Sequence, residues 1–273
     1  MRRILSADIV VGIAGLLAVS LSAVASATNG SVFSSREEKI DFAREVSDII
    51  ESSWIKWQDG IRIENVRVDG GYGRILPGGL TGDVFNASGI FRNRDTKGFS
   101  RYQVECMKVV AEAVADAMRA WQREYYHYNV PFPEGASSSF SLTPTTNVPV
   151  TVSSGNSPGK RRICESALQD FMLYRSPAQG DDESVSEIFL AAAEAFCAVF
   201  SEWERRCYVE DITASGGVAP APAPMGMGPG PVRGAGGGGG RLTGAYLPGR
   251  EMYTRMLQAL DIDIAQDQEY SNR

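Results

Sequence analysis

Three times along the chain, a stretch with helical periodicity ends on a tryptophan and passes at once into the alternation of a strand. In register on Trp57, Trp121 and Trp203, the upstream residues agree in type: Val46, Ile49, Ile50 and Trp54, then Val110, Ala113, Val114 and Met118, then Ala192, Ala195, Phe196 and Phe200. Spacings of three and four place each set on one helical stripe. An acidic residue recurs upstream as Asp48, Glu112 and Glu194, and a polar one follows each tryptophan directly as Gln58, Gln122 and Glu204.

The starts agree as well. Ser35 with Glu38, Ser100 with Gln103 and Ser184 with Glu187 each have the spacing of a capping box, in which the serine oxygen accepts a first-turn N–H and the acid or amide reaches back. Each box lies about twenty residues ahead of its tryptophan, enough for five to six helical turns at ~3.6 residues each. Downstream come the strand-like pieces IRIENVRV, YYHYNVPF and CYVEDITA, then a loop, then Leu80-Thr81-Gly82, Leu142-Thr143-Pro144 or Leu242-Thr243-Gly244. A large side chain at the helix end covers the first residues of the strand, where period 3.6 gives way to period 2.

The expected fold is therefore α+β and helix-dominated, with three tandem helix/Trp/short-strand units and long Gly/Pro and Ser/Thr loops. Unit one spans 28–99, unit two 100–156, and 157–249 holds a further helix plus unit three; 250–273 is a C-terminal helix and tail. The units are too long and uneven for a regular solenoid. Within unit three, GGVAPAPAPMGMGPGPVRGAGGGGG reads as part of a disordered insertion over 214–240, because that composition buries too little apolar surface to offset ordering. Arg161 to Tyr174 reads as a helix turned back by SPAQGDD, and Arg250 to Ala265 as the last helix, with Met252, Met256, Leu257 and Leu260 on one face.

The N-terminus reads as an address. Arg2 and Arg3 precede an uncharged run from Ile9, and Ala25-Ser26-Ala27 offers the small-x-small pattern of a cleavage site. Residues 1–27 are thus expected to be an export signal, or else an uncleaved single-span anchor, since the run nearly reaches the ~20 residues a membrane helix needs. Export makes the four cysteines candidates for two disulfides. A helical hairpin would level Cys164 with Cys197, leaving Cys106 for Cys207, a pairing that needs their helices antiparallel or the strand after Trp203 folded back.

Composition excludes several classes. With 27 Lys+Arg against 33 Asp+Glu and no basic run longer than Lys160-Arg161-Arg162, the footprint of a nucleic-acid binder is missing. His127 is the only histidine, so His-rich zinc sites are excluded. Gly234 to Gly239 formally matches GxGxxG but follows a Pro/Gly tract instead of a strand. Gly155 to Lys160 is one residue short of a phosphate loop. Asp261 and Asp263 open like a calcium loop that lacks its glycine and closing glutamate. Asn29-Gly-Ser31 and Asn86-Ala-Ser88 are glycosylation sequons.

Ser157-Pro-Gly-Lys160 has the SxxK spacing that sets a serine nucleophile beside its lysine in penicillin-binding enzymes, without the companion SDN and KTG patterns. Ser157 before Pro158 also reads as a helix cap. No catalytic, cofactor-binding or metal site is assigned. The expected function is an exported, non-enzymatic structural or interaction protein that binds a protein partner or self-assembles and meets a membrane only through its N-terminal segment. Its rivals are an extracytoplasmic hydrolase using Ser157 and Lys160, and a surface-filament or virion component.

Overall fold

The computed structural model describes residues 31–69, 72–132, 145–177, 182–216, 219–220, 232–233, 235–237 and 239–263. Residues 1–27, where an export signal or anchor is expected, Leu142-Thr143-Pro144 and the tail beyond 263 lie outside them. Among the described residues the fold is mixed, with six α-helices and several small sheets.

Three long helices dominate: α1 (Arg36–Gly60), α3 (Arg101–Glu124) and α5 (Glu183–Arg206), each ending three residues past its tryptophan. Every stripe residue named above is buried, as are the three tryptophans. The boxes at Ser35/Glu38 and Ser100/Gln103 are both closed. The third start differs. Asp182 caps α5 by accepting Ser184 N–H, because a carboxylate two residues upstream outcompetes the serine, and Glu187 instead pairs with Lys39. α5 is long and apolar enough to cross a membrane, yet most of its apolar stretch is buried within the fold.

The three long helices run parallel. At one end, Trp121 and Trp203 touch; at the other, residues 31–34 cross the starts of α3 and α5, with Val32 N–H on Asp182, Phe33 N–H on Ser184 and Gln103 Nε2 on Val32 O. Three short helices fill the seams: α2 (Ala87–Phe91) between α1 and α3, α4 (Glu165–Arg175) between α3 and α5, and α6 (Gly249–Ala259) between α5 and α1.

The piece IRIENVRV folds as two strands, β1 (Ile61–Ile63) and β2 (Val66–Asp69), broken at Asn65 with φ 53°. β3 (Tyr72–Ile75) and β4 (Leu80–Gly82) follow ahead of α2. Between α3 and α4 come β5 (His127–Pro131), β6 (Thr145–Thr146) and β7 (Val150–Thr151). CYVEDITA splits in the same way as IRIENVRV, into β8 (Cys207–Glu210) and β9 (Thr213–Gly216), broken at Asp211 with φ 55°. Asn and Asp tolerate this left-handed geometry better than other non-glycine residues. β10 (Ala219–Pro220) pairs β11 (Val232–Arg233), and β12 (Ala235–Gly237) and β13 (Arg241–Gly244) follow.

Part of the expected insertion over 214–240 is thus strand. The main chain of β12 pairs with β2 on one side and β9 on the other. Ladder hydrogen bonds need only backbone N–H and C=O, so a glycine-rich segment can be held by neighbours from elsewhere in the chain. Residues 217–218, 221–231, 234 and 238 lie outside the described ones. A six-stranded antiparallel sheet results, ordered β5-β3-β2-β12-β9-β6. Val148, just past β6, donates to Pro131 O at the end of β5, so the sheet curls until its two outer strands meet.

The disulfide expectation is overturned. All four cysteines are free and none lies at disulfide distance from another. Cys106 sits near the start of α3 and Cys207 just past the end of α5, so parallel helices hold them at opposite ends of the bundle, ~20 Å or more apart at ~1.5 Å per residue. Cys164 stands at the N-cap position of α4 with its Sγ on Arg161 O, and its thiol is not within bonding distance of Cys197.

Burial instead pushes the thiols of Cys106 and Cys207 up from 9.0 to about 12. Their contribution to stability is whole below pH ~9, where folded and unfolded thiols are both protonated. It falls as pH rises towards ~12, because the unfolded chain ionises first, by about 1.4 kcal/mol per pH unit for each thiol. Urea unfolding at pH 8 and pH 10.5 is expected to show this loss, with a flatter profile in the Cys106→Ala/Cys207→Ala variant. Equal stability at both pH values would contradict it.

Candidate functional site

The tryptophan ends of the helices meet in one cluster. Ring centroids lie 6.1 Å apart for Trp57 and Trp121, 5.7 Å for Trp57 and Trp203, and 5.7 Å for Trp121 and Trp203. The triangle is nearly equilateral. Trp54 stands edge-on to Trp57 and Trp203, and Phe200 edge-on to Trp121. The polar residues after each tryptophan serve this cluster. Trp57 Nε1 donates to Gln122 Oε1 and Trp203 Nε1 to Gln58 Oε1, each at 2.9 Å, so each amide satisfies an indole from another long helix. At the third position the Glu204 carboxylate receives Lys160 Nζ.

Trp57 and Trp203 are followed by the same strand geometry. Ile61 pairs Gly82 and Arg62 pairs Thr81; Cys207 pairs Gly244 and Tyr208 pairs Thr243. Both glycines take positive φ, 90° and 113°, and lie against the carbonyls of Gly60 and Arg206, the last residues of α1 and α5. After Trp121, Tyr126 bridges Asn156 in the position that Thr81 and Thr243 hold. Asn156 follows a short helical turn, so the Leu-Thr spelling could not have marked it.

Ser157, next along, is buried and donates its hydroxyl to Trp121 O at 2.8 Å; the turn Pro158–Arg162 then begins. Lys160 Nζ is turned to Glu204. The two SxxK side chains therefore serve different partners. His127 is buried, which lowers its pKa and keeps the ring neutral. Its Nδ1 accepts from Asn129 N–H, so the proton sits on Nε2 and is shared with Ser154 Oγ at 2.9 Å. Gly155 closes the turn Val152–Ser154 with its N–H on Val152 O and Asn156 pairs with Tyr126, while Asp263 O accepts from Arg36. Among the described residues, no three His, Cys, Asp or Glu side chains gather as a metal site.

Among the described residues, a concavity of about 690 Å³ opens between β1 and β13 at the end of α1. Gln58 forms its floor, with Nε2 on Gly244 O, while Asp59, Arg62, Glu64, Arg241 and Tyr246 form its rim. Arg62 Nη1 donates to Asp59 O and Ile61 O at 2.7 Å each, and Tyr246 OH donates to Asp59. Sequence periodicity gave no sign of this groove, because it is bounded by main chain from segments some 180 residues apart.

The chain matches no protein-family model, no curated protein and no solved structure.

Proposed function

We propose that this chain is an exported structural or interaction protein in which three tandem copies of one unit occupy the places of three subunits around a threefold axis. With α4 now counted to unit two and α6 to unit three, each unit runs long helix, short strands, short helix. The observation that carries the reading is the cyclic order of the contacts. Each short helix sits between its own long helix and the next, and β3 of unit one meets β5 of unit two, β6 of unit two meets β9 of unit three, and β12 of unit three meets β2 of unit one. A closed ring of like contacts is what cyclic oligomers form from separate chains.

Further support comes from the matched register at Gly82 and Gly244, the left-handed breaks at Asn65 and Asp211, and the tryptophan triangle. The most conspicuous side chains are spent on this centre. The hydroxyl of Ser157 and the amine of Lys160 are likewise used in packing the unit-two junction, which favours assembly over hydrolysis. Residues 31–34 cross the helix starts, so a preceding signal or anchor would enter at the end remote from the sheet, leaving the sheet end for partners.

Chromatography coupled to light scattering is expected to return a discrete multiple of the 29.5 kDa chain mass, or a discrete complex once a partner is supplied. A monomer that hydrolyses ester or amide substrates and loses this activity in Ser157→Ala would contradict the proposal.

A further inference from the structure

Where one unit meets the next, a loop of the chain can fill the space under a helix end, and the three loops differ in length. Ile75, paired with His127 of unit two, lies six positions before Thr81, paired within unit one. The intervening turn sets Gly78 N–H on Arg123 O at the end of α3, 2.9 Å away. Val150, paired with Val209 of unit three, lies six positions before Asn156, bridged within unit two. Here the turn Val152–Ser154 packs on α5 and β8 with Val152 buried. Gly240, bridged to Ile63 of unit one, lies only three positions before Thr243. Unit three lacks the turn, and the 690 Å³ groove opens at that place.

We propose that this groove docks a short turn of a partner protein, which supplies from outside the three residues that the third loop lacks; the proposal rests on reading the units as copies of one. The other two turns define the occupant: an apolar residue early, Leu76 one position after Ile75 or Val152 two after Val150, a glycine late, Gly79 or Gly155, and, as Gly78 shows, a main-chain N–H for the helix end. The groove suits a backbone better than an apolar ligand. Ile61, Ile63 and Leu242 are buried, so what faces outward is main chain, the Gln58 amide and charged rim groups. Gly240 directs both its N–H and C=O at Ile63, so by strand alternation Leu242 presents the same pair to the groove. Addition of an extended segment at such an edge draws its affinity from main-chain hydrogen bonds. Until a partner arrives, Arg62 holds Asp59 O, the carbonyl equivalent to the Arg123 O that Gly78 caps.

The test uses the heptapeptide Arg-Ile-Leu-Pro-Gly-Gly-Leu, the sequence of residues 74–80, titrated to millimolar concentration into the protein while backbone amide resonances are followed. Shifts are expected in 58–64 and 240–246, absent with the reversed-sequence peptide. Arg62→Ala frees two carbonyls and is expected to bind about five-fold tighter. A variant with Leu-Pro-Gly inserted between Gly240 and Arg241 should fill its own groove and lose the response. No shifts, shifts elsewhere, weaker binding by Arg62→Ala, or an unchanged response in a folded insertion variant would overturn the docking proposal. If the wild-type protein binds as expected but the insertion variant fails to fold, docking stands and the equivalence of the three loops falls.

Discussion

Trp57→Ala is expected to lower the unfolding free energy by about 3–5 kcal/mol, the cost of a large cavity in a packed core. Trp57 lies within 6.2 Å, centroid to centroid, of Trp54, Phe85, Trp121 and Trp203, and its loss leaves Gln122 Oε1 without the indole N–H. Trp121→Ala and Trp203→Ala should fall in the same range, since all three rings share one cluster. Double variants should be less than additive, because contacting residues share the same cavity. Urea denaturation followed by circular dichroism measures this; a loss under ~1 kcal/mol at any of the three would show that its ring is not part of a common centre.

Gly82→Ala and Gly244→Ala are each expected to cost about 2–4 kcal/mol, through backbone strain added to a main-chain clash. A Cβ on Gly82 would lie 2.2 Å from Gly60 O, and one on Gly244 would lie 2.5 Å from Arg206 O, with both residues at positive φ. Neither obstacle is a side chain that can swing aside. Gly78 is the control: at φ 77° its Cβ would meet nothing within 4 Å, so alanine there should cost only about 1 kcal/mol. After Trp121 the residue beside the Tyr126–Asn156 bridge is Ser157, whose hydroxyl donates to the Trp121 carbonyl, so a side chain closes that helix end. Equal melting temperatures for Gly82→Ala and Gly78→Ala would contradict this account.

The helical half of the fold was legible because buried stripes impose a spacing that sequence displays directly. Val46 to Trp57, Val110 to Trp121 and Ala192 to Trp203 announce both the helices and their common ending. The sheet was legible only in part. Asn65 and Asp211 break their strands through left-handed backbone, which alternation does not reveal, and β12 is held by main-chain partners on β2 and β9 that no local window contains. The disulfide expectation failed because the direction of α3 relative to α5 is a tertiary fact. The SxxK spacing was visible, but only the fold turns Ser157 to a helix carbonyl and Lys160 to Glu204. The groove was invisible for a related reason: it lies between β1 and β13, some 180 residues apart, and their placement requires the pairing register.

The central claim is that α1, β1 and β4 stand to the whole as α5, β8 and β13 do. A crystal structure tests it most directly. Superposing Ser35–Ile63 with Leu80–Gly82 onto the matching residues around α5, β8 and β13 should need a rotation of about 120°. A similar rotation about the same axis should carry the α5 unit onto α3 with Tyr125–His127. Rotations far from that value, or about unrelated axes, would contradict the account.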